Sequence, residues 1–172
     1  MRFILLLTLI LSFSVFANAQ MNTGDLAQNF VETTISGENL ELDQMRGKVV
    51  VLTFWSTRCE ICAAEIPRLN KLVDKYSGKD VVFVGLAWQD KTKLEEFFRK
   101  KPFKFKIVPQ SLGVLLKYAD RDAQGRLNMG FPSHFVISPE GYVVLKDSGW
   151  DKTNELDSTI SRLLSNSVAK LD

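Results

Sequence analysis

The apolar, β-branched run Val49-Val50-Val51-Leu52-Thr53-Phe54-Trp55 has the composition of a strand buried on both faces. A helical pattern follows almost at once: Cys62, Ile66, Leu69, Val73 and Tyr76 form an apolar stripe, with Arg68, Lys71, Asp74 and Lys75 between them. The junction holds Cys59-Glu60-Ile61-Cys62, which contains the only two cysteines of the chain. Cys59 is therefore expected at or beside the helix N-terminus, with Cys62 one turn further along the same face. Unpaired backbone N–H groups and the helix dipole favour a thiolate there, and the second thiol can close a disulfide with it. The first expectation is thiol–disulfide redox chemistry.

The start of the chain reads as an address. Arg2 supplies a positive charge, and Phe3 to Phe16 is apolar apart from Thr8, Ser12 and Ser14. Ala17-Asn18-Ala19 then offers the small-x-small pattern of a signal peptidase site, so residues 1–19 are read as a signal peptide cleaved before Gln20. The apolar stretch is shorter than the roughly 20 residues that span a bilayer, and an uncleaved membrane anchor is the alternative. No cysteine lies near the cleavage point, which excludes a lipoprotein anchor. Residues 20–172 are expected to form one domain of ordinary size.

Charge is nearly balanced, with 22 Lys and Arg against 20 Asp and Glu. The basic stretch Lys91, Lys93, Arg99, Lys100, Lys101, Lys104 and Lys106 is interrupted by Asp90, Glu95 and Glu96, and reads as a solvated helix face and strand edge. No nucleic-acid partner is expected. A disulfide-stapled exported domain would carry several cysteine pairs. A single pair three residues apart closes a loop too short to restrict the unfolded chain much, so it favours chemistry over stapling.

Phe30 to Ile35 and Leu40-Glu41-Leu42 flank Ser36-Gly37-Glu38-Asn39, which predicts a short hairpin. The central strand opens at Gly47-Lys48, and Ser77-Gly78 ends the cysteine helix. Val81 to Ala87 reads as a second buried strand, and Thr92 is placed to cap a helix through Lys100. Phe103, Phe105 and Ile107 alternate with lysines as a half-exposed strand, and Leu112 to Tyr118 as a short helix. His134 to Ile137 and Tyr142 to Leu145 form a closing hairpin around Pro139-Glu140-Gly141, and a last helix starts near Thr153. Strands alternating with helices, then a hairpin and a helix, predict an α/β sandwich.

Phe54-Trp55-Ser56-Thr57-Arg58-Cys59-Glu60-Ile61-Cys62-Ala63-Ala64-Glu65-Ile66-Pro67 resembles the F-W-x-x-W-C-x-x-C-x-x-E-x-P segment of exported thioredoxin-like proteins of the TlpA/ResA type. Gly130-Phe131-Pro132-Ser133-His134-Phe135-Val136-Ile137, with Glu140-Gly141 after it, is similar to that family's G-x-P-T-x-F-x-I-x-x-x-G segment. Arg58 replaces the tryptophan that usually precedes the first cysteine, and Ser133 replaces threonine. The resemblance covers roughly Asp25 to Leu164. It implies a thioredoxin-like fold: a central mixed β-sheet flanked by helices, with an N-terminal β-hairpin extension. It also implies a thiol–disulfide oxidoreductase that takes electrons from a membrane thiol donor and passes them to disulfide-containing exported proteins, with cytochrome c maturation as one such role.

Cys59 is the expected nucleophile and Cys62 the resolving thiol of a redox-active disulfide, because the thiolate attacks and a neighbouring thiol releases the mixed disulfide. By the resemblance, Pro132 is the cis-proline facing the pair, and it exposes the backbone of Phe131 to an extended client segment. Phe131 and Arg58 are the expected client contacts, and Trp55 is read first as a core residue, with client contact as its alternative. Asp90 aligns with an acid that some relatives carry beside the cysteines. It is read either as a proton carrier or as an exposed acid before a helix. Glu60 would complement the helix dipole, Pro67 would kink the helix, and Glu65 is expected on the surface.

No metal or other cofactor is expected. Two cysteines and the lone His134 fall short of a zinc site, and Ala63 stands where c-type haem attachment needs a histidine. A thiol peroxidase and a copper-binding or non-catalytic thioredoxin-like module are the alternatives. The chain is expected to act as a periplasmic or otherwise exported monomer, in the reducing direction.

Overall fold

The structure is a computed structural model that describes residues 20–168, so the expected signal peptide lies outside the described residues. The hairpin of β1 (Val31–Thr33) and β2 (Asn39–Glu41) leads through a 3-10 turn, Leu42–Met45, into β3 (Val49–Trp55). Then come α1 (Glu60–Lys75), β4 (Val81–Ala87), α2 (Lys91–Phe98), β5 (Lys106–Val108) and α3 (Leu112–Tyr118). A two-residue ribbon, β6 (Asp120–Arg121) with β7 (Leu127–Asn128), precedes β8 (Ser133–Ile137), β9 (Val143–Ser148) and α4 (Thr153–Val168). Among the described residues, no helix is long and apolar enough to cross a membrane.

The five-stranded sheet runs β5-β4-β3-β8-β9. β3 is parallel to β4, which is parallel to β5, whereas β8 is antiparallel to both β3 and β9. Every residue of β3 is buried, as a strand covered on both faces must be. Its side chains alternate between two cores. Val50, Leu52 and Phe54 meet Val114, Leu115 and Tyr118 of α3 and the N-terminal residues Phe30 and Leu42. Val49, Val51 and Trp55 meet Ile66 and Leu69 of α1, Leu94 of α2, and Leu156 and Ile160 of α4. This is the expected central mixed sheet flanked by helices, with the N-terminal hairpin appended.

Local expectations needed four corrections. Asp90, not Thr92, caps α2: its carboxylate accepts the Lys93 N–H at 2.9 Å. Both types can cap, and the residue that can reach the N3 donor takes the position. β5 starts only at Lys106, because Phe103 and Phe105 are turned onto Trp55 and Phe83, with ring centroids 5.4 and 5.1 Å apart. The 3-10 turn and the β6–β7 ribbon carry no apolar period that marks them in sequence. The closing hairpin also extends further than Leu145, with β9 reaching Ser148 opposite Ser133.

α1 and α4 are joined at their edges as well as through the core. Tyr76 Oη donates to Asp157 Oδ1 at 2.6 Å, and Lys75 Nζ to the same carboxylate at 2.6 Å. Burial alone would raise the Asp157 carboxyl, but these two donors outweigh it and hold it below the usual carboxylate range. Burial and the same carboxylate push the Tyr76 hydroxyl upward. A depressed acid stabilises the fold above its unfolded value and loses that contribution as pH falls through the folded one. Asp157→Asn is therefore expected to cost up to about 1 kcal/mol at pH 7. The gap to the parent chain closes below about pH 4, read by urea unfolding at both pH values.

Candidate active site

β3 ends at Trp55, and a three-residue loop delivers the chain to Cys59, the N-cap of α1. Cys59 Sγ accepts the Cys62 N–H at 3.2 Å, and the Cys59 carbonyl accepts the Ala63 N–H at 3.0 Å. One of the otherwise unpaired N–H groups of the first turn is thus aimed at sulfur, where it favours negative charge once the thiol is free. Cys59 and Cys62 are joined in a disulfide. Their exposures differ: Cys59 is half-buried, while Cys62 is 3% exposed. An incoming sulfur can therefore reach Cys59 and not Cys62.

The loop before Cys59 is held by a residue that sequence reasoning missed. Gln89, only 7% exposed, follows the end of β4 beside Trp55. Its Oε1 accepts the Thr57 N–H at 3.1 Å, and its Nε2 donates to Ser56 Oγ at 2.8 Å. Ser56 in turn accepts the Arg58 N–H on Oγ at 3.2 Å and the Cys59 N–H on its carbonyl at 3.0 Å. One buried amide thus holds both Ser56 and Thr57, the residues that lead into Arg58 and Cys59. A glutamine just past an apolar strand is the available cue, and it is indistinguishable from a surface residue in the sequence.

The Phe131–Pro132 peptide bond is cis, and the Phe131 carbonyl oxygen lies 3.6 Å from Cys59 Sγ. Pro132 is buried, whereas Phe131 is partly exposed and packs against both cores. Phe54 of β3 pairs with Ser133 of β8, so the cysteine loop and the proline turn leave neighbouring strands at the same end of the sheet. Arg58 is exposed and lines a cleft of about 440 Å³ with Trp88, Asp90 and Lys93. Trp88 is 48% exposed there, an apolar surface beside the cysteines that had not been singled out.

Trp55, Glu65 and His134 all lie in the interior. Trp55 does not reach the groove: it is 1% exposed and packed among Phe97, Phe98 and Phe103, because its strand is covered on both faces. Glu65, expected on the surface, is wholly buried. It lies three residues after Cys62 on the same buried face of α1, and its Oε1 accepts the Lys152 N–H at 3.1 Å. His134 is wholly buried too, with Nδ1 2.9 Å from Thr53 Oγ1 and Nε2 3.5 Å from Glu65 Oε2. α1 runs without a break through Pro67. Among the described residues, no group of three or more His, Cys, Asp or Glu could hold a metal.

Asp90 stands in the Arg58 cleft as a helix cap. The Lys93 backbone N–H holds its carboxyl below the usual range, with the Lys93 ammonium adding to the effect. A carboxylate stabilised in its ionised form is a weak proton acceptor. Asp90→Asn is therefore expected to leave the pH profile of disulfide exchange unchanged while lowering the thermal midpoint. A displaced exchange profile would instead make Asp90 a proton carrier.

The chain matches the AhpC/TSA family over residues 23–146. It is 30% identical over 146 residues to the thiol-disulfide oxidoreductase ResA of Bacillus cereus strain ZK, covering 84% of this chain and 80% of that protein. It is 29% identical to ResA of Bacillus subtilis over 133 residues, 76% of this chain and 70% of that one. Among solved structures, a thioredoxin-family thiol:disulfide interchange protein of Chlorobium tepidum superposes with a TM-score of 0.70, at 20% identity, over 85% of this chain and 99% of that one. That likeness shows the thioredoxin-like fold, and the ResA relationship carries the chemistry that the half-buried Cys59 and its buried partner can perform. The chain belongs to the AhpC/TSA family and, within it, to the thiol-disulfide oxidoreductases of the ResA type.

Proposed function

We propose that this oxidoreductase is exported, its signal peptide cleaved near Ala19, and that it reduces the disulfides of selected exported proteins in a periplasm-like compartment as a monomer. The observation that carries the reading is the unequal exposure of the two sulfurs across one helix turn. The accessible one sits at the N-cap with a backbone N–H aimed at it, and the buried one is reachable only from within.

In the reduced protein the Cys59 thiolate attacks one sulfur of a client disulfide. The client S–S bond breaks, its second sulfur leaves with the electron pair, and that thiolate takes a proton from solvent. A Cys59–client mixed disulfide remains. Cys62 then attacks Cys59 Sγ, the Cys59–client bond breaks, and the client is released with both sulfurs reduced. Two electrons have moved, and the Cys59–Cys62 disulfide described above is the product. A membrane thiol donor returns the electrons.

Phe131 and Pro132 form the wall along which an extended client segment lies, and the cleft lined by Arg58 and Trp88 offers it a further contact. Cys62 must lose its proton to attack, and Glu65, buried one turn along the same face of α1, is the base that takes it. Clients on the route to cytochrome c maturation fit a reductant of this kind, since haem attachment requires free thiols.

Cys62→Ser is expected to trap the first step, so that client disulfides accumulate as mixed disulfides with Cys59 on non-reducing gels. Recovery of none would remove the resolving role of Cys62. The purified mature protein equilibrated with dithiothreitol should show a two-electron couple below about −200 mV, and one near −120 mV would make it an oxidant. Peroxide consumption no faster than that of a free thiol is expected alongside.

A further inference from the structure

The chain has a single histidine, and it is wholly buried against a wholly buried carboxylate. Among the described residues, Glu65 Oε2 and His134 Nε2 have no hydrogen-bond partner by strict geometry, and these two atoms face each other at 3.5 Å. A bare carboxylate and a bare imidazole nitrogen side by side in a core are costly, and a proton between them removes both costs. The far ends of the pair are anchored, Glu65 Oε1 by the Lys152 N–H and His134 Nδ1 by the Thr53 hydroxyl. With Nε2–H given to Glu65, Nδ1 presents its lone pair, and Thr53 must donate to it.

Thr53 is the member of this group that shares a gap with the dithiol. Thr53, Cys62 and Pro132 line one gap that is too narrow to admit a water molecule. Thr53 and His134 are register partners on β3 and β8, on the face covered by α1 and α4. The next charged groups on that face are engaged with one another. Asp147, the register partner of His134 on β9, binds Lys152 Nζ at 3.0 Å, and Lys152 reaches Glu155 at 3.6 Å. The core around the pair also holds Leu156 and Ile160 of α4 and Trp55 of β3, none of them charged.

We propose that His134 is a positioning residue for the resolving step, joining Cys62 to Glu65 through the Thr53 hydroxyl so that the histidine and carboxylate hold the Cys62 proton as one pair. The inference rests on Glu65 being the base for Cys62 and adds the route and the second holder. As Cys62 becomes a thiolate, its proton passes to the Thr53 oxygen while the Thr53 hydroxyl hydrogen moves to Nδ1. The Nε2 proton is then held between His134 and Glu65, and the pair goes from one negative charge to neutral. The Cys62 electron pair forms the bond to Cys59 Sγ, and the client sulfur leaves with the pair from the broken bond. When the dithiol is regenerated, the proton returns to Cys62.

A sole histidine makes the test direct, because ring nitrogen signals of the ¹⁵N-histidine-labelled mature chain have one source. Between about pH 5 and 9 the oxidised and reduced proteins are expected to give different ring nitrogen shifts. Thr53→Val and Glu65→Gln should each abolish that difference. His134→Gln is expected to slow release of a mixed disulfide about tenfold and to flatten its pH profile, with formation of the mixed disulfide at Cys59 unaffected. Ring signals that ignore both redox state and pH overturn the proposal, and that reading holds even where His134→Gln fails to fold. A pH profile flattened by Glu65→Gln but not by His134→Gln removes His134 and leaves Glu65 as the base. Profiles unmoved by either substitution remove the base as well.

Discussion

The site depends on β3 being buried on both faces. A strand with apolar side chains in both directions cannot slip by one residue without exchanging its two cores, so its register against β4 and β8 is fixed by packing. That register determines two things at once. It aims the C-terminal end of β3 at the start of α1, which puts Cys59 at a helix N-terminus. It also sets Phe54 opposite Ser133, which brings the Phe131 carbonyl within 3.6 Å of the Cys59 sulfur. Cys59 and the Phe131–Pro132 turn are therefore placed by the same pair of strands.

What packing places, hydrogen bonds refine. The Cys62 N–H aimed at Cys59 Sγ belongs to the helix start and needs no dedicated side chain. The loop before it has no regular structure of its own, and Gln89 compensates by binding Ser56 and Thr57 at once. Three backbone-directed contacts converge on Ser56 and Thr57, so the sulfur is held from the sheet side as well as from the helix side. Arg58, between these anchors and exposed, is free to meet a partner without disturbing them.

Much of this was legible in the sequence because it is local. The buried strand, the cysteine helix and the closing hairpin each carry their own period, and the Cys59–Cys62 spacing states its chemistry within one turn. The cap of α2 was misplaced because Asp90 and Thr92 are both capping types two residues apart, and only backbone geometry separates them. Glu65 and His134 were illegible for a deeper reason. A glutamate among Arg68 and Lys71 looks like a surface residue, and a histidine in an apolar strand reads equally as packed or partly exposed. Their burial comes from the meeting of α1 with β8, which brings together residues 65 and 134, about seventy apart along the chain, and no local pattern encodes it.

That meeting also explains why the core next to the dithiol is not simply apolar. Replacing a buried charged or polar pair by well-packed hydrophobic residues is often neutral or stabilising, so stability alone does not account for Glu65 facing His134. The same face of the sheet has apolar residues at every neighbouring core position, including Val51, Val136, Ile66 and Leu69. The polar members Thr53, Glu65 and His134 stand together on the side of the core that Cys62 faces. The gap lined by Thr53 and Cys62 is too narrow for a water molecule, so no solvent lies in it between the two residues. On the proposed mechanism Cys62 ionises in each turnover, and the polar cluster is then the internal acceptor that a buried sulfur needs.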